Sequence, residues 1–119
     1  MENFSELELS PEVQRGVDAV GYRKPFPIQE RAIGPLMAGR SIVGQAKAGS
    51  GKTAAFGIPL LHAVNPQDRR VQALVLAPTR ELAVQITEEL KKIGTYTGIR
   101  VLTVYGGQSM NLQLDALRR

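Results

Sequence analysis

Apolar residues recur at helical spacing in three stretches of this chain. Val13, Val17 and Val20 lie three or four residues apart behind a start signal at Pro11, and a second helix is predicted to begin at Pro27. The inward face of this second helix comprises Ile28, Ala32, Ile33 and Leu36. A third, longer helix carries one apolar stripe of Leu82, Ile86, Leu90 and Ile93.

Short apolar runs lie between the helical stretches and predict strands. They are residues 41–43, 73–77 and 100–105, and residues 73–77 are apolar on both faces, which is typical of a buried parallel strand. A further helix is predicted from residues 54–56. Strands that alternate with helices predict an α/β fold with a parallel sheet, in which phosphate sites lie at the carboxyl ends of the strands.

Residues 46–53, with the sequence AKAGSGKT, have the composition of a phosphate-binding loop. Gly49, Ser50 and Gly51 are small, so the backbone can turn sharply and direct its N–H groups at an anion. The alternative is a glycine-rich turn with a chance Gly-Lys-Thr sequence. The predicted strand before the loop and the helix after it favour a nucleoside triphosphate site.

The last two residues of this loop carry the chemistry. Lys52 places a cation beside the outer phosphates, and Thr53 offers a hydroxyl to Mg²⁺ at the start of the helix. Ala46 stands where the common pattern has glycine. Alanine is the next smallest residue, so we expect little effect on the turn.

Composition and charge narrow the class of protein. The 119 residues are enough for one domain with a core, and the sequence contains no cysteine, no apolar run of membrane-spanning length and no signal-peptide pattern. We therefore expect an intracellular, cytoplasmic protein without a membrane segment.

The charges are unevenly distributed along the chain. Residues 1–14 hold four of the 11 acidic residues and none of the 15 basic ones, so the remainder is basic. A basic body suits a nucleic acid partner, although many nucleotide-binding domains are mildly basic. The acidic start, from Glu2 to Glu12, is most simply a solvated face.

Gln29 is a candidate base reader because Pro27 places it in a rigid first helical turn. A glutamine amide can accept from the adenine N6 amine and donate to N7, a match that guanine cannot offer in the same orientation. Tyr22 could stack on the base. Taken alone, each residue is more simply explained without a ligand, Gln29 as an ordinary exposed helix residue and Tyr22 as an ordinary core aromatic.

Two further loops could form a track for single-stranded nucleic acid. Thr79 can cap the helix that follows the strand at 73–77, where free N–H groups can hold a phosphate, and Arg80 adds a cation. Gly106 and Gly107 end the next predicted strand and would let a sugar-phosphate backbone approach closely. The alternative is that Thr79 is only a cap and the glycines only a turn.

Together these elements resemble the DEAD-box family of ATP-dependent RNA helicases over nearly the whole chain. Phe4 and residues 21–29 are similar to the family's adenine-reading Q motif, and residues 46–53 to its motif I. Residues 78–83 resemble motif Ia, and the two glycines resemble the GG element. Ala48 departs from the threonine that is common in motif I, so a hydroxyl contact there is absent.

The resemblance implies roles for these residues. Lys52 and Thr53 would be catalytic, with Thr53 directed at Mg²⁺ through the nucleotide. ATP would be bound by Phe4, Tyr22, Gln29, Ala48, Gly49, Ser50, Gly51, Lys52 and Thr53. RNA would be bound by Pro78, Thr79, Arg80, Gly106 and Gly107. The implied fold is a P-loop NTPase (RecA-like) three-layer parallel sheet, truncated, with N-terminal helices: a Q-motif segment at residues 1–38 and a partial ATP-binding domain at 39–119.

The chain lacks the acidic residues that a helicase uses to order magnesium and water. No run of four apolar residues is followed by Asp-Glu, and Asp115 follows a segment that does not read as a strand. We therefore expect the 119 residues to bind ATP weakly, without useful hydrolysis or unwinding. We also expect self-association through exposed sheet edges. Two other interpretations remain open here: another P-loop NTPase, or a non-enzymatic module that binds phosphate or nucleic acid.

Overall fold

A computed structural model describes residues 3–107 and 109–118. A short 3₁₀ helix, Phe4–Leu7, precedes five α-helices: α1 (Pro11–Ala19), α2 (Pro27–Met37), α3 (Lys52–Ala63), α4 (Arg80–Ile93) and α5 (Met110–Arg118). None of the helices in this described part of the chain is long and apolar enough to cross a membrane. Within the acidic start, Glu6, Glu8 and Glu12 are exposed as predicted, whereas Glu2 lies outside the described residues.

Helices α1, α2 and α4 begin where the sequence predicts. Pro11 and Pro27 occupy the first helical positions of α1 and α2, because proline has a helical φ and needs no hydrogen bond there. Thr79 caps α4, its hydroxyl accepting from the Leu82 N–H at 3.1 Å. Gly21 has a φ of 82° just after α1, a left-handed conformation that favours glycine. Local signals therefore determine these boundaries.

Helices α1 to α4 form one packed layer, which we call the helix layer. α3 packs against α2 and α4, and α1 packs against α4. Its fully buried side chains include Val17, Ile33, Ile58 and Ile93. The predicted stripe on α4 is confirmed for Ile86, Leu90 and Ile93, whereas Leu82 at the first turn is exposed.

Gly16 allows the close approach of α1 and α4. A Cβ added there would lie 1.7 Å from the backbone oxygen of Ile93, a distance at which atoms overlap. The contact is with backbone rather than with the end of a flexible side chain. The layer is therefore packed to a separation that only glycine permits at this position.

The predicted parallel sheet is not formed among the described residues. Segments 41–43, 73–77 and 100–105, which we call the open segments, carry neither helix nor strand. The expectation that 73–77 is buried on both faces is wrong, since Leu74 is 80% exposed and Leu76 is 85% exposed. A strand obtains its hydrogen bonds from a neighbouring strand, and in a parallel sheet that neighbour need not be the next one along the chain.

One side of the third open segment, residues 100–105, nevertheless packs against the helix layer. Val101 is partly buried against the core, and the Thr103 hydroxyl donates to the Thr87 hydroxyl of α4 at 2.6 Å. At its end, the Tyr105 N–H donates to the amide oxygen of Gln113 in α5 at 2.9 Å. This segment is held by side chains in place of a strand ladder.

Candidate nucleotide and nucleic-acid site

The phosphate loop adopts the conformation that its glycines were predicted to allow. Gly49 and Gly51 have φ values of 79° and 80°, in the left-handed region that other residues rarely adopt. The Ser50 N–H donates to the Lys47 carbonyl at 3.2 Å, and the Ser50 hydroxyl also donates to that carbonyl. These bonds close a tight turn immediately before α3.

The start of α3 faces the loop without a side-chain cap. Gly51 is the N-cap residue and makes no side-chain hydrogen bond, and helix residues Lys52 and Thr53 follow directly. The first N–H groups of a helix have no partner within the helix, and the helix dipole makes this end positive. Backbone N–H groups, an exposed ammonium and a hydroxyl form a donor set that fits a phosphate together with a hard divalent cation. Ala46 and Ala48 add no polar side chain to the loop.

Gln29 is joined to this loop by hydrogen bonds. Its amide oxygen accepts from the Phe26 N–H at 2.9 Å, and its amide nitrogen donates to the Gly51 carbonyl at 3.0 Å. The side chain is only 2% exposed, which rules out the interpretation of Gln29 as an exposed helix residue. A Cβ on Gly51 would lie 2.2 Å from that amide nitrogen, so glycine is required where the two meet.

Phe26 is a residue of this site that the sequence analysis missed. Its ring lies on the same side of Gly51 as the Gln29 amide, with Cδ2 2.8 Å from the position of an added Cβ, yet the residue is 51% exposed. It is also the N-cap residue of α2, a position where Ser, Thr, Asp and Asn are preferred. An aromatic residue at a helix cap is the signal that could have identified it.

Tyr22 and Phe4 form a separate pair. Their rings stack with centroids 6.1 Å apart, and Phe4 is buried in the core. The Tyr22 hydroxyl donates to Glu89 of α4 at 2.6 Å. Burial, and then the hydrogen bond and the charge of Glu89, raise the pKa of Tyr22 to about 12. ATP binding by Phe4 and base stacking by Tyr22 both stay predictions.

The two loops predicted to contact nucleic acid lie side by side. Gly107 has a φ of 89°, and an added Cβ would be 2.9 Å from a terminal guanidinium nitrogen of Arg80. The Arg80 side chain therefore extends across the turn, in space that a larger residue would occupy. Thr79, Pro78 and Gly106 are exposed around this pair. The arrangement presents a cation, a helix N-terminus and glycine backbone on one surface.

Comparisons with known proteins point to one family. The sequence profile of the DEAD/DEAH box helicase family matches residues 26–119. The chain is 48% identical, over its whole length, to the DEAD-box ATP-dependent RNA helicase CshA of Geobacillus kaustophilus. It covers 26% of that protein, so the chain spans about a quarter of the length of this relative.

Solved structures show the same relationship. The RNA helicase Prp28 of Chaetomium thermophilum bound to ADP is 41% identical with a TM-score of 0.87, the match covering 99% of this chain and 30% of Prp28. The S. cerevisiae protein Dbp5, solved with RNA and ADP BeF3, is 38% identical with a TM-score of 0.81, covering 93% of this chain and 30% of Dbp5. These neighbours are RecA-like domains of DEAD-box helicases.

Proposed function

This chain belongs to the DEAD/DEAH box helicase family, and we propose that it is the ATP- and RNA-binding part of an ATP-dependent RNA helicase. In the longer protein it would couple ATP binding and hydrolysis to the separation of RNA strands. Membership of this family decides against an unrelated P-loop NTPase. The cytoplasmic location expected from the sequence stays part of this proposal.

The observation that supports nucleotide binding is the contact between Gln29 and the phosphate loop. One amide joins the start of α2 to Gly51 at the start of α3. Each amide group retains further capacity, since the nitrogen has two hydrogens and the oxygen two lone pairs. Gln29 would read the adenine N6 and N7 while it holds the loop, and Tyr22 and Phe4 would support this side of the site.

The phosphate loop would bind the triphosphate and its Mg²⁺. Gly49, Ser50 and Gly51 would surround the phosphates with backbone N–H groups, and Lys52 would neutralise the outer charge. Thr53 would direct its hydroxyl to the metal. Bound Mg²⁺ supplies charge neutralisation at the phosphates, and the chain's own residues orient them at the positive end of α3.

Arg80 and Gly107 support the RNA part. We propose that Arg80 contacts a phosphate of single-stranded RNA and that Pro78, Thr79, Gly106 and Gly107 let the backbone lie close to the surface. RNA phosphate contacts make binding depend on salt. Residues 1–38 would then serve base recognition, and residues 39–119 would serve phosphate and RNA binding within an α/β sheet that the longer protein completes.

The test is calorimetric titration of this chain with ATP and with GTP, both with Mg²⁺. We expect ATP to bind more tightly than GTP and Lys52→Ala to weaken both, because the lysine acts on the phosphates. Gln29→Ala should remove the preference for ATP. Equal affinities in the unchanged chain would contradict adenine reading by Gln29. A lack of any binding would contradict the proposal that this chain carries an assembled site.

The 119 residues by themselves are proposed to hydrolyse ATP slowly at most, since they lack the Asp-Glu pattern expected for magnesium and water. A phosphate-release assay with and without RNA tests this. Fast, magnesium-dependent turnover that Lys52→Ala abolishes would contradict it.

Self-association through the open segments is a further part of the proposal. Val43, Leu74 and Leu76 are largely exposed apolar residues, and such surfaces favour association. Sedimentation should show an apparent mass that increases with protein concentration. The double substitution Leu74→Lys and Leu76→Lys should reduce this increase. A concentration-independent monomer would count against this.

A further inference from the structure

Phe26 combines a fixed position with an exposed ring. Proline residues flank it at positions 25 and 27, and its N–H is held by the amide oxygen of Gln29. Its ring contacts Gly51 at the end of the phosphate loop. The backbone and one edge of the ring are therefore fixed, while about half of the residue remains open to solvent.

The local structure does not require an aromatic residue here. Phe26 is the N-cap of α2 but has no atom that can accept a hydrogen bond from the helix, so threonine would serve α2 better. The ring is also absent from the buried core, which contains Phe4 among its largest side chains. Neither capping nor core packing accounts for the ring.

The ring stands beside the two groups that a nucleotide would contact. It shares Gly51 with Gln29, and Gly51 is the residue that precedes Lys52 at the positive end of α3. Tyr22, the other aromatic candidate, has its ring stacked on Phe4 and its hydroxyl bonded to Glu89. Phe26 is therefore an aromatic residue that lies against Gly51 of the phosphate loop and is still open to solvent.

We propose that Phe26 is a base platform, against which the nucleobase or its ribose packs when phosphates occupy the loop. This inference rests on the proposed function, since it assumes that the loop binds a nucleotide. Every base has a π-face, so the ring adds affinity without selecting adenine, whereas Gln29 selects the base by hydrogen bonds. Phe26 thus contributes binding affinity, and Gln29 contributes selectivity for the base.

The experiment measures dissociation constants of ATP, GTP and inorganic tripolyphosphate, each with Mg²⁺, for the unchanged chain and for Phe26→Thr. Base–aromatic stacking, measured by alanine substitution, corresponds to a change of about five- to 150-fold in affinity. We expect Phe26→Thr to weaken ATP and GTP by about tenfold each, in the lower part of that range. Tripolyphosphate has no base and should change by less than about twofold, because the phosphate loop itself is unaltered.

Threonine is chosen because it removes the ring and adds a good helix cap. The thermal unfolding midpoint of Phe26→Thr, followed by circular dichroism, should therefore not fall. Phe26→Tyr keeps the ring and should keep the affinity. Phe26→Leu keeps apolar volume without a π-face and should lose most of the affinity that the ring contributes.

Each alternative result overturns the inference in a recognisable way. An unchanged ATP affinity in Phe26→Thr would mean that the ring does not touch the nucleotide. Equal loss of tripolyphosphate would mean that the ring only supports the shape of the loop, and full affinity in Phe26→Leu would rule out stacking. If the unchanged chain binds ATP no better than tripolyphosphate, the base platform fails while the phosphate site stands. If it binds none of the three, the proposed function fails together with the inference.

Discussion

The helix layer and the open segments contain the same kinds of side chains in opposite environments. Ile58 and Ile93 of the helix layer are fully buried, whereas Leu74 and Leu76 of the open segments are mostly exposed. A helix satisfies its backbone hydrogen bonds internally and needs only a surface to pack on. A strand needs a second strand for every backbone bond. The apolar side chains of the open segments are therefore at most partly buried, whereas the helix layer, whose backbone is already satisfied, buries its apolar face.

The candidate site lies along the boundary between these two regions. The phosphate loop precedes α3, and the loop at Thr79 precedes α4, so each takes its fixed end from the helix layer. Arg80 then reaches across Gly107, at the end of the third open segment. The proposed binding residues therefore lie at helix starts, and the following predictions test how far each region supports them.

The largest expected effect is a difference in unfolding free energy between a substitution in the helix layer and one in the open segments. Ile58→Ala should lower the free energy of unfolding by about 4 kcal/mol, since it leaves a cavity among fully buried neighbours. Leu76→Ala should change it by less than about 0.5 kcal/mol, because the side chain is exposed. Urea unfolding at low protein concentration measures both. Similar losses would show that the open segments are packed in solution.

The next effect concerns the spacing within the helix layer. Gly16→Ala should cost about 3 kcal/mol, because the added Cβ overlaps the backbone oxygen of Ile93 and α1 must move away from α4. Asp18→Ala on the exposed side of the same helix should change stability by less than about 0.5 kcal/mol. The same urea experiment compares them. A tolerated Gly16→Ala would mean that α1 is not held against α4.

A smaller effect is expected where the regions meet at Gly107. Gly107→Ala should weaken binding of a single-stranded oligouridine about fivefold, roughly 1 kcal/mol, because it strains a positive φ and displaces Arg80. It should also reduce the slope of log affinity against log salt by about 0.7, the value for one lost phosphate contact.

Gly34→Ala is the control, since no atom lies within 4 Å of its added Cβ, its φ is not in the positive range and it is not among the proposed RNA-binding residues. In an Arg80→Gln background, Gly107→Ala should have little further effect if it acts through Arg80. Fully additive losses, or equal losses from both glycine variants, would show that Gly107 acts independently of Arg80.

The smallest effect is a change in alkaline stability. The pKa of Tyr22 is raised to about 12 in the folded chain from an ordinary value near 10, so the folded state favours the neutral phenol. The resulting stability is fully present below about pH 10 and is lost between about pH 10 and 12. Thermal unfolding midpoints of the unchanged chain should therefore fall more over this range than those of Tyr22→Phe. Parallel curves would show that the hydroxyl bonded to Glu89 contributes nothing.

The sequence by itself determined the elements whose signals are local. Pro11, Pro27 and Thr79 mark helix starts that the structure confirms, and Gly49 and Gly51 adopt the left-handed conformations expected of a phosphate loop. A cap, a turn or a proline acts through residues within one helical turn, so its effect can be deduced from neighbouring positions. The order of these motifs also indicated the family that the comparisons show.

The tertiary structure alone decided which distant residues meet and which apolar residues are covered. The ring of Phe26 on Gly51, the link from Gln29 to the same glycine, and Arg80 across Gly107 all join segments more than 20 residues apart. Periodicity assigns a residue to a face of its own element, but it does not say what lies opposite that face. For the same reason, the apolar pattern at 73–77 predicted a buried strand and could not show whether a neighbouring strand is there to pair with it.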